Sequence, residues 1–397
     1  MATNKTDKVL NVPTLRFPGF TEEWQEVQFC DVVNLYRGSS PRPIIEFITH
    51  SDEGVNWVKI GDMPTTGRLV TSTSERITLE GSKKSRKVSP GDLILSNSMT
   101  FGQPYVMAIE GYIHDGWFVL RDYEEKMDRD FLCNLLISPI IQKQYYRLAA
   151  GGVVQNISSD LVNQVRFSLP SIAEQLQISH LLNILDERIA LQSKLIEDLK
   201  KLKSAITELL FNNDASKVRL GTLIKQVSAR NRDGLINIVM SVSNKHGFIA
   251  QSEQFEDRTV ASEDTTNYKV IKSGIFAYNP ARINVGSIAQ YKGDETCIVS
   301  PMYLCFKCGV DVVGDYLEHF FSTKYFFKEM DKRLEGSVRQ CLSFEALCNI
   351  PIPLPSIEQQ HCTATIIGGI SKMIAAESKI LQAYTKQKNY LLSTMFI

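Results

Sequence analysis

The amino-acid sequence predicts an α+β fold with two repeated modules, each followed by a long helix, and with the two helices forming an antiparallel coiled coil. Three observations predict this fold. A stretch of the first half recurs in the second half, where position x corresponds to position x + 185. Short strand-like segments bounded by Gly and Pro precede that stretch in each half. After it, apolar residues recur at alternating steps of three and four, the spacing of a coiled coil.

The repeat is clearest where the two halves align without a gap. LAAGGVVQNISSDLVNQVRFSLPSI (148–172) aligns with RLEGSVRQCLSFEALCNIPIPLPSI (333–357). The likeness continues through later pairs such as Gln175 with Gln360. Upstream, KVSPGDLILSN (87–97) resembles KVIKSGIFAYN (269–279) once a small gap is allowed. Each module therefore has a variable part followed by a shared part.

Within each module the sequence predicts strands first and helices afterwards. DLILS and GIFAY are short, apolar and bounded, as expected of strands. Asp128 and Asp130 precede FLCNLLISPIIQKQYYRLAA, and Asp315 precedes YLEHFFSTKYFFKEMDKRL. Carboxylates are favourable at helix N-termini, so each of these segments is predicted to be a helix. A Gly/Gln loop, a short strand running into Pro, and the long helix complete each module.

The long helices carry a seam of nine positions in which seven residues are apolar. The seam positions of the first helix, to which 185 is added for the second, are 182, 185, 189, 192, 196, 199, 203, 206 and 210. An antiparallel register that pairs Lys203 with Glu377 also pairs Gln192 with Lys388, because both pairs of numbers sum to 580. We predict a contact between Lys203 and Glu377, since polar seam residues often fix register. The alternative is that both side chains extend to water.

Composition is typical of a folded soluble protein, with 43% apolar and 22% charged residues. The net charge is zero, so any nucleic-acid contact must come from local charge. Basic residues exceed acidic ones by seven to four from Lys59 to Asp92, and by eleven to six from Lys217 to Lys292. Signal-peptide features and runs of about 18–20 apolar residues are absent, so we expect a cytoplasmic protein with no membrane partner. The eight cysteines are expected to be reduced thiols.

Motifs for catalysis, ATP binding and metal binding are weak. A loop that holds a flipped adenine for methylation needs a second proline and an aromatic residue, and NPAR (279–282) lacks both. The sequence has no G-x-x-x-x-G-K-S/T phosphate loop. Cys305 and Cys308 form a C-x-x-C, but YLCFKCG has the pattern of a strand and not of a zinc knuckle. The six histidines show no ligand spacing. We expect no catalytic residue, cofactor site or metal site in this chain.

Several segments, taken in their order, resemble the specificity subunits of type I restriction-modification systems. They are RFPGFTEEW (16–24), GDLI (91–94), the two Gly/Gln loops, and LPSIAEQ (169–175) and LPSIEQQ (354–360) before the long helices. The resemblance covers essentially the whole chain. The Pro-x-x-Glu-Gln pattern usual for this family is plain in PSIEQ (355–359), whereas PSIAEQ (170–175) contains an extra residue.

The resemblance implies a non-catalytic subunit with two target-recognition domains that read the halves of a bipartite double-stranded DNA sequence. It implies target-recognition domains at 1–170 and 214–355, a central spacer helix at 171–213 and a C-terminal spacer helix at 356–397. Its partners would be two modification subunits that carry S-adenosylmethionine and methylate adenine. Restriction subunits that use ATP and Mg²⁺ can join such complexes. The chain itself would bind no cofactor.

Candidate DNA contacts are side chains able to donate to phosphates or base edges, and they follow the two basic stretches. In the first module they are Arg37, Arg42, Lys59, Arg68, Lys83, Lys84, Arg86, Lys87 and Asn97. In the second they are Arg230, Arg232, Lys245, Arg258, Asn279, Arg282 and Asn284. Gln155 and Gln340, in the repeated loops, could read bases or support the loop backbone.

A helical scaffold with two interaction modules and no nucleic-acid role is the alternative function. Net neutrality favours it. The basic residues in the variable halves argue against it, because recognition surfaces should diverge while docking surfaces repeat.

Overall fold

A computed structural model describes residues 10–64, 66–97, 102–149, 157–212, 216–244, 246–251, 264–336 and 340–397. The chain divides into two compact units. Unit 1 comprises Met1–Leu195 and Ser378–Ile397, and unit 2 comprises Ile196–Glu377. Among the described residues, no helix is long and apolar enough to cross a membrane.

Unit 1 contains a two-stranded sheet and two five-stranded sheets. Its strands are β1 (Gln25–Gln28), β2 (Asn34–Arg37), β3 (Ile48–Thr49), β4 (Val55–Val58), β5 (Leu69–Val70), β6 (Glu75–Ile77), β7 (Arg86–Val88), β8 (Leu93–Ser96), β9 (Pro104–Met107), β10 (Gly111–Ile113), β11 (Trp117–Arg121) and β12 (Arg166–Leu169). Strand orders are β1-β12, β3-β6-β4-β10-β7 and β2-β11-β8-β9-β5. Its short helices are α1 (Leu79–Ser82), α2 (Arg129–Ile137), α3 (Pro139–Ala149) and α4 (Ser159–Asn163), and the long helix α5 (Ile172–Phe211) begins here.

Unit 2 contains a two-stranded sheet and two four-stranded sheets. Its strands are β13 (Lys217–Arg219), β14 (Ile224–Val227), β15 (Val239–Ser243), β16 (Gly247–Ala250), β17 (Lys269–Ile271), β18 (Phe276–Tyr278), β19 (Ile288–Gln290), β20 (Cys297–Val299), β21 (Leu304–Cys308) and β22 (Pro351–Pro353). Strand orders are β13-β22, β14-β21-β18-β19 and β16-β15-β20-β17. Its helices are α6 (Gly314–Phe320), α7 (Lys324–Asp331), α8 (Phe344–Cys348) and the long α9 (Ile357–Thr394), which ends in unit 1.

Parallel strand directions bring several connections to one edge of a sheet in each unit. In unit 1, β2 and β8 both run antiparallel to β11, so both end at the edge where Arg37 faces Phe118 and Ser96 faces Trp117. We call this the β2/β8 edge. In unit 2, β14 and β18 both run antiparallel to β21 and define an equivalent β14/β18 edge.

Each unit has its own aromatic core, which includes Phe211 at the end of α5 in unit 2 and Phe396, two residues beyond α9, in unit 1. In unit 1, Phe396 lies 5.3 Å from Phe131 between ring centroids. In unit 2, Phe211 lies 4.7 Å from Tyr316. The two strand segments predicted from DLILS and GIFAY are present as β8 and β18.

The two medium-length helices predicted from the sequence are each broken into two. The first breaks into α2 and α3 at Ser138, whose backbone is extended (φ −64°, ψ 149°), because Pro139 cannot continue the hydrogen-bond ladder. The second breaks into α6 and α7, where the Thr323 hydroxyl accepts from the Phe326 amide and starts a new helix. The predicted N-terminal carboxylate is confirmed at α2, since Asp128 accepts from the Phe131 amide at 2.8 Å.

The predicted seam is the buried face of both long helices: all nine of its positions in each helix are buried or half-buried. The register predicted for it is wrong. Within unit 1, the Lys388 ammonium forms an ion pair with Asp186, and the Tyr384 ring lies 6.0 Å from the Arg188 guanidinium. Position 388 therefore lies opposite 186 and not opposite Gln192. Asp186 is next to a seam position and not in the seam, which is why the seam pattern missed it.

Two buried glutamines near the starts of the long helices make the same hydrogen bonds. In unit 1, Gln175 Oε1 accepts from the Asp128 amide, and Nε2 donates to the carbonyls of Lys126 and Pro170, at 2.8 to 3.0 Å. In unit 2, Gln360 makes the matching bonds at 2.9 to 3.1 Å; its partners are the Val313 amide and the Asp311 and Pro355 carbonyls. Each glutamine ties its helix to the start of α2 or α6.

Candidate nucleic-acid interface

The β2/β8 edge of unit 1 brings together basic residues that are far apart in the sequence. Arg37 is the last residue of β2 and Arg42 follows it, and the turn before β7 carries Lys83 and Lys84. Arg86 begins β7 opposite Ile113, the last residue of β10. The turn 114–116 then connects β10 to β11, and all these segments meet around it.

Asp115 is the centre of this edge. Its carboxylate accepts from the Ser40 hydroxyl at 2.6 Å and lies 3.5 Å from the Arg42 guanidinium. Its carbonyl accepts from Arg37 Nε at 3.2 Å and from Asn97 Nδ2 at 2.9 Å. The Ser40 hydrogen bond lowers the pKa of Asp115, with Arg42 adding in the same direction, so the group is a carboxylate at neutral pH. Asp115 thus contacts two arginines, Arg37 through its carbonyl and Arg42 through its carboxylate.

His114 fixes the other side of the same turn. Its ring lies between Trp57 and Trp117, 6.1 and 6.2 Å from their centroids. Its Nδ1 accepts a hydrogen bond from the Gly116 amide at 2.8 Å. Burial lowers the pKa of His114, so the imidazole is neutral near pH 7. His114 therefore holds this turn by ring packing and a hydrogen bond, and not by its charge.

The remaining cations of this edge are held by aromatic rings and backbone carbonyls. The Lys84 ammonium lies 4.6 Å above the Phe47 ring, and the Arg86 guanidinium lies 5.5 Å from the Tyr36 ring. Arg86 Nε also donates to the Arg37 carbonyl. Lys83 is exposed. The groups that contact Lys84 and Arg86 are neutral, so the charge of both cations remains available to an anionic ligand.

The other sequence candidates of unit 1 are engaged within the unit. Lys59 and Lys87 pair with glutamates, at 2.6 Å from Glu75 and 2.8 Å from Glu110. Arg68 donates to Asn134 and, at 3.2 Å, to Asp186 on α5, where it lines a cleft of about 760 Å³. Asn97 is buried, with its amide committed to the Asp115 carbonyl. We therefore leave Arg68 and Asn97 out of the proposed interface.

The β14/β18 edge of unit 2 carries exposed cations on the connections after both β14 and β18. Arg230 follows β14, and its Nη1 donates to Asn267 at 2.9 Å; Arg232 is exposed two residues later. Arg282 and Asn284 are exposed on the connection after β18. Asn279 is buried and accepts from the Ala281 amide at 3.1 Å, so it shapes this turn from inside.

Some candidates cannot be placed, and other residues were missed. Lys245, Arg258 and Gln155 lie outside the described residues, whereas Gln340 is exposed. Lys269 was missed: it begins β17, bridges to Arg230, and donates to the Tyr303 carbonyl at 2.6 Å. Asp115 was missed because a carboxylate cannot donate a hydrogen bond, and Ser40 because it lies outside the two basic stretches. The alignment of 87–97 with 269–279 was the signal that could have found Lys269, because it places that residue opposite the candidate Lys87.

The C-x-x-C segment is a strand, as its pattern predicts. Cys305 and Cys308 lie in β21, with Cys305 buried in the sheet. Burial raises the pKa of both thiols to about 11, which disfavours the thiolate that zinc requires. Within the described ranges, no group of three His, Cys, Asp or Glu residues is arranged to hold a metal ion.

Comparison with known proteins finds similarity to one family. Residues 21–201 match the model of the type I restriction modification DNA specificity domain. The MjaVIII type I restriction enzyme specificity subunit of Methanocaldococcus jannaschii is 21% identical, over 96% of this chain and 93% of its own length. The putative MjaX type I restriction enzyme specificity subunit of the same organism is 22% identical, over 94% of this chain and 93% of its own length. Residues 21–201 therefore match a type I restriction modification DNA specificity domain, and the chain is similar to type I specificity subunits over nearly its whole length.

Solved structures show the same fold as this chain. The S subunit of a type I restriction-modification system from M. genitalium superimposes with a TM-score of 0.61 at 16% identity, covering 97% of this chain and 99% of that one. A chain from a study of assembly and conformational transition of the type I R-M system gives a TM-score of 0.57 at 17% identity, covering 96% and 98%.

Proposed function

We propose that this chain is a specificity subunit that recognises a bipartite double-stranded DNA sequence, with one half read at the β2/β8 edge and the other at the β14/β18 edge. The observation that carries the proposal is that both units present exposed arginines where the first of two parallel strands ends: Arg37 and Arg42 at the end of β2 and after it, and Arg230 and Arg232 after β14. The residues at the two edges differ, as they must if each reads a different half-site. Phosphates take Arg and Lys, and base edges take Arg, Asn and carboxylates.

We infer that the two units are diverged copies of one target-recognition domain. The repeat supports domains at 1–170 and 214–355, with spacer helices at 171–213 and 356–397. The matching bonds of Gln175 and Gln360 support the equivalence. The buried seam positions and the Asp186–Lys388 ion pair support an antiparallel coiled coil of the two spacers.

Two modification subunits are the proposed protein partners. Large apolar side chains are exposed on the helix faces of each unit: Ile184, Leu191 and Leu195 in unit 1, and Ile366 and Met373 in unit 2. Steps of four and seven place them along one side of a helix, as in a helix-packing surface. S-adenosylmethionine would be held by these partners, and ATP with Mg²⁺ by a restriction subunit where one joins.

DNA binding in the presence of the methyltransferase partner tests this function. We expect wild type to select a split sequence from random duplexes and to lose affinity steeply with salt. Arg230→Ala with Arg282→Ala should weaken binding of the selected duplex and reduce the salt dependence by up to about two phosphate contacts. The charge-matched control is Arg219→Ala with Lys225→Ala, which lie away from the β14/β18 edge. Equal affinity of both double variants would count against these contacts. Failure of the wild-type chain to select any sequence would count against the proposed function.

A further inference from the structure

We propose that Arg42 and Asp115 act together as the reader of one G·C base pair in the half-site bound by unit 1. The inference rests on the proposed function, that the β2/β8 edge meets DNA. It adds a chemical identity for one position of the target and names a carboxylate as a specificity-determining residue.

The starting observation is an exposed carboxylate at the centre of a cationic surface. The Asp115 side chain is 42% exposed and that of Arg42 is 83% exposed, with Arg42 Nη2 and Asp115 Oδ2 3.5 Å apart. Arg37, Lys84 and Arg86 surround the same turn. An ion pair this exposed contributes little to folding stability, so it does not explain why a carboxylate lies here.

A carboxylate beside a DNA backbone is unfavourable, because it meets the phosphates with like charge. The same group is favourable on the floor of the major groove, where cytosine N4 and adenine N6 present N–H donors. Asp115 is suited to this role. Ser40 donates to Oδ1, which leaves Oδ2, the oxygen nearer Arg42, able to accept from a base.

The pair matches G·C better than A·T. In a G·C pair, guanine O6 and cytosine N4 are hydrogen-bonded to each other, about 3 Å apart. A guanidinium donating to guanine O6 and N7 and an adjacent carboxylate accepting from cytosine N4 would form three matched bonds. In an A·T pair the carboxylate could accept from adenine N6, but thymine O4 offers the arginine a single acceptor beside a methyl group. The 3.5 Å spacing suits the first arrangement.

The turn that carries Asp115 is rigid enough to hold this geometry. Trp57 and Trp117 flank His114, and the Asp115 carbonyl is fixed by Arg37 and Asn97. These bonds use the backbone of Asp115, so replacing its side chain leaves them in place. In unit 2 the connection from β20 to β21 reads SPMY (300–303) and has no carboxylate. The preference should therefore be confined to one half-site.

The test is selection of bound duplexes from a random pool by the full chain with its methyltransferase partner, followed by affinity measurements. Asp115→Asn and Arg42→Ala should each lose the preference for G·C at one and the same position, with the other half-site unchanged. Affinity for the wild-type target should fall about 5- to 100-fold for each variant. Arg42 is mostly exposed, so its variant should fold normally.

Arg76 and Asp52 provide a matched control, because they form another surface ion pair of unit 1 at 3.5 Å. Arg76→Ala and Asp52→Asn should leave the selected sequence unchanged. The inference is overturned if the Asp115 and Arg42 variants keep the wild-type preference, lose it at different positions, or bind all sequences more weakly in equal proportion. A wild-type chain that selects no sequence would overturn the proposed function as well.

Discussion

Gln175 and Gln360, which occupy equivalent positions of the repeat, are both fully buried and make the same three hydrogen bonds to partners that are themselves equivalent. Each side chain joins the carbonyl of a proline, the start of the long helix and the start of a short helix. The three hydrogen bonds of such a buried amide stabilise the fold only when all of them are made, because each lost bond leaves a desolvated group unpaired. The repeat therefore preserves a structural device in both units.

Replacing either glutamine with leucine should destabilise its own unit. In Gln175→Leu, the Asp128 amide and the Lys126 and Pro170 carbonyls lose their partner, and we expect a loss of at least about 2 kcal/mol. Gln360→Leu should have the same effect in unit 2. Hydrogen exchange, read separately over α2 and α6, measures each unit. Gln177→Leu, on the exposed face of α5, is the control and should change little.

Lys388 and Lys203 are equivalent by the same offset but differ in their surroundings. Lys388 is paired with Asp186, whereas position 371, the counterpart of Asp186, is a serine. Burial lowers the pKa of both lysines, and the charged group that counteracts it for Lys203 is the more distant Glu318. Lys388→Met should cost about 1–2 kcal/mol, because Asp186 loses a half-buried partner.

Lys203→Met should instead be neutral or stabilise unit 2 by up to about 1 kcal/mol, because it removes a half-buried charge that gains little from a partner. Denaturant unfolding combined with hydrogen exchange distinguishes the two variants. Equal losses for both would mean that the methylene chains, and not the ammonium groups, determine the stability.

Much of the architecture could be predicted because it depends on spacing. The constant offset paired Gln175 with Gln360, which make matching bonds, and the three-four pattern identified the buried face of each long helix. The register failed because it was derived from polar residues within the seam, whereas Lys388 pairs with Asp186, one position outside it. Which side of a helix a flanking charge turns to depends on packing that is not encoded in spacing alone.

The candidate interface was predictable only in part, since residue type does not reveal burial. Arg37, Arg42 and Arg230 lie at the expected surfaces, but Asn97 and Asn279 are buried and support turns. A search for cations does not find Asp115. Its contacts with two arginines form only in the folded chain, where four segments meet at one edge. The contacts that Arg68 makes with α5 likewise follow from tertiary structure.

Replacing His319 should make the folding stability of the chain less sensitive to acid. Burial, and secondarily the charge of Lys203, lower the pKa of His319 in the folded chain. Below about pH 6.5 the unfolded chain therefore binds more protons than the folded chain, and stability falls as pH decreases. His319→Asn places the residue found at the equivalent position 134 and removes this contribution.

We expect the stability of His319→Asn to fall less than that of wild type between pH 7.5 and about pH 5.5, as measured by denaturant unfolding at each pH. Part of the decrease should remain, because burial lowers the pKa of His114 in unit 1 too. His361→Asn, an exposed position on α9, is the control and should follow wild type. A parallel pH dependence of His319→Asn and wild type would contradict the prediction.

The ends of the long helices should stabilise different units by the same mechanism. Phe211 at the end of α5 packs on Tyr316. Phe396, its counterpart in the repeat, packs on Phe131, the residue equivalent to Tyr316. Both phenylalanines are about 95% buried. Truncating such a side chain leaves a cavity and costs about 3–5 kcal/mol in a closed core; because helix ends can relax, we expect about 2–4 kcal/mol.

The loss should appear in a different unit for each phenylalanine. Phe211→Ala should weaken hydrogen-exchange protection of α6 in unit 2, because the cavity opens beside Tyr316. Phe396→Ala should do so for α2 in unit 1, although it lies one residue before the end of the sequence. Leu209→Ala, at an exposed position of α5, should leave both unchanged. If Phe396→Ala left α2 fully protected, the C-terminal turn would be a peripheral attachment and not part of the core of unit 1.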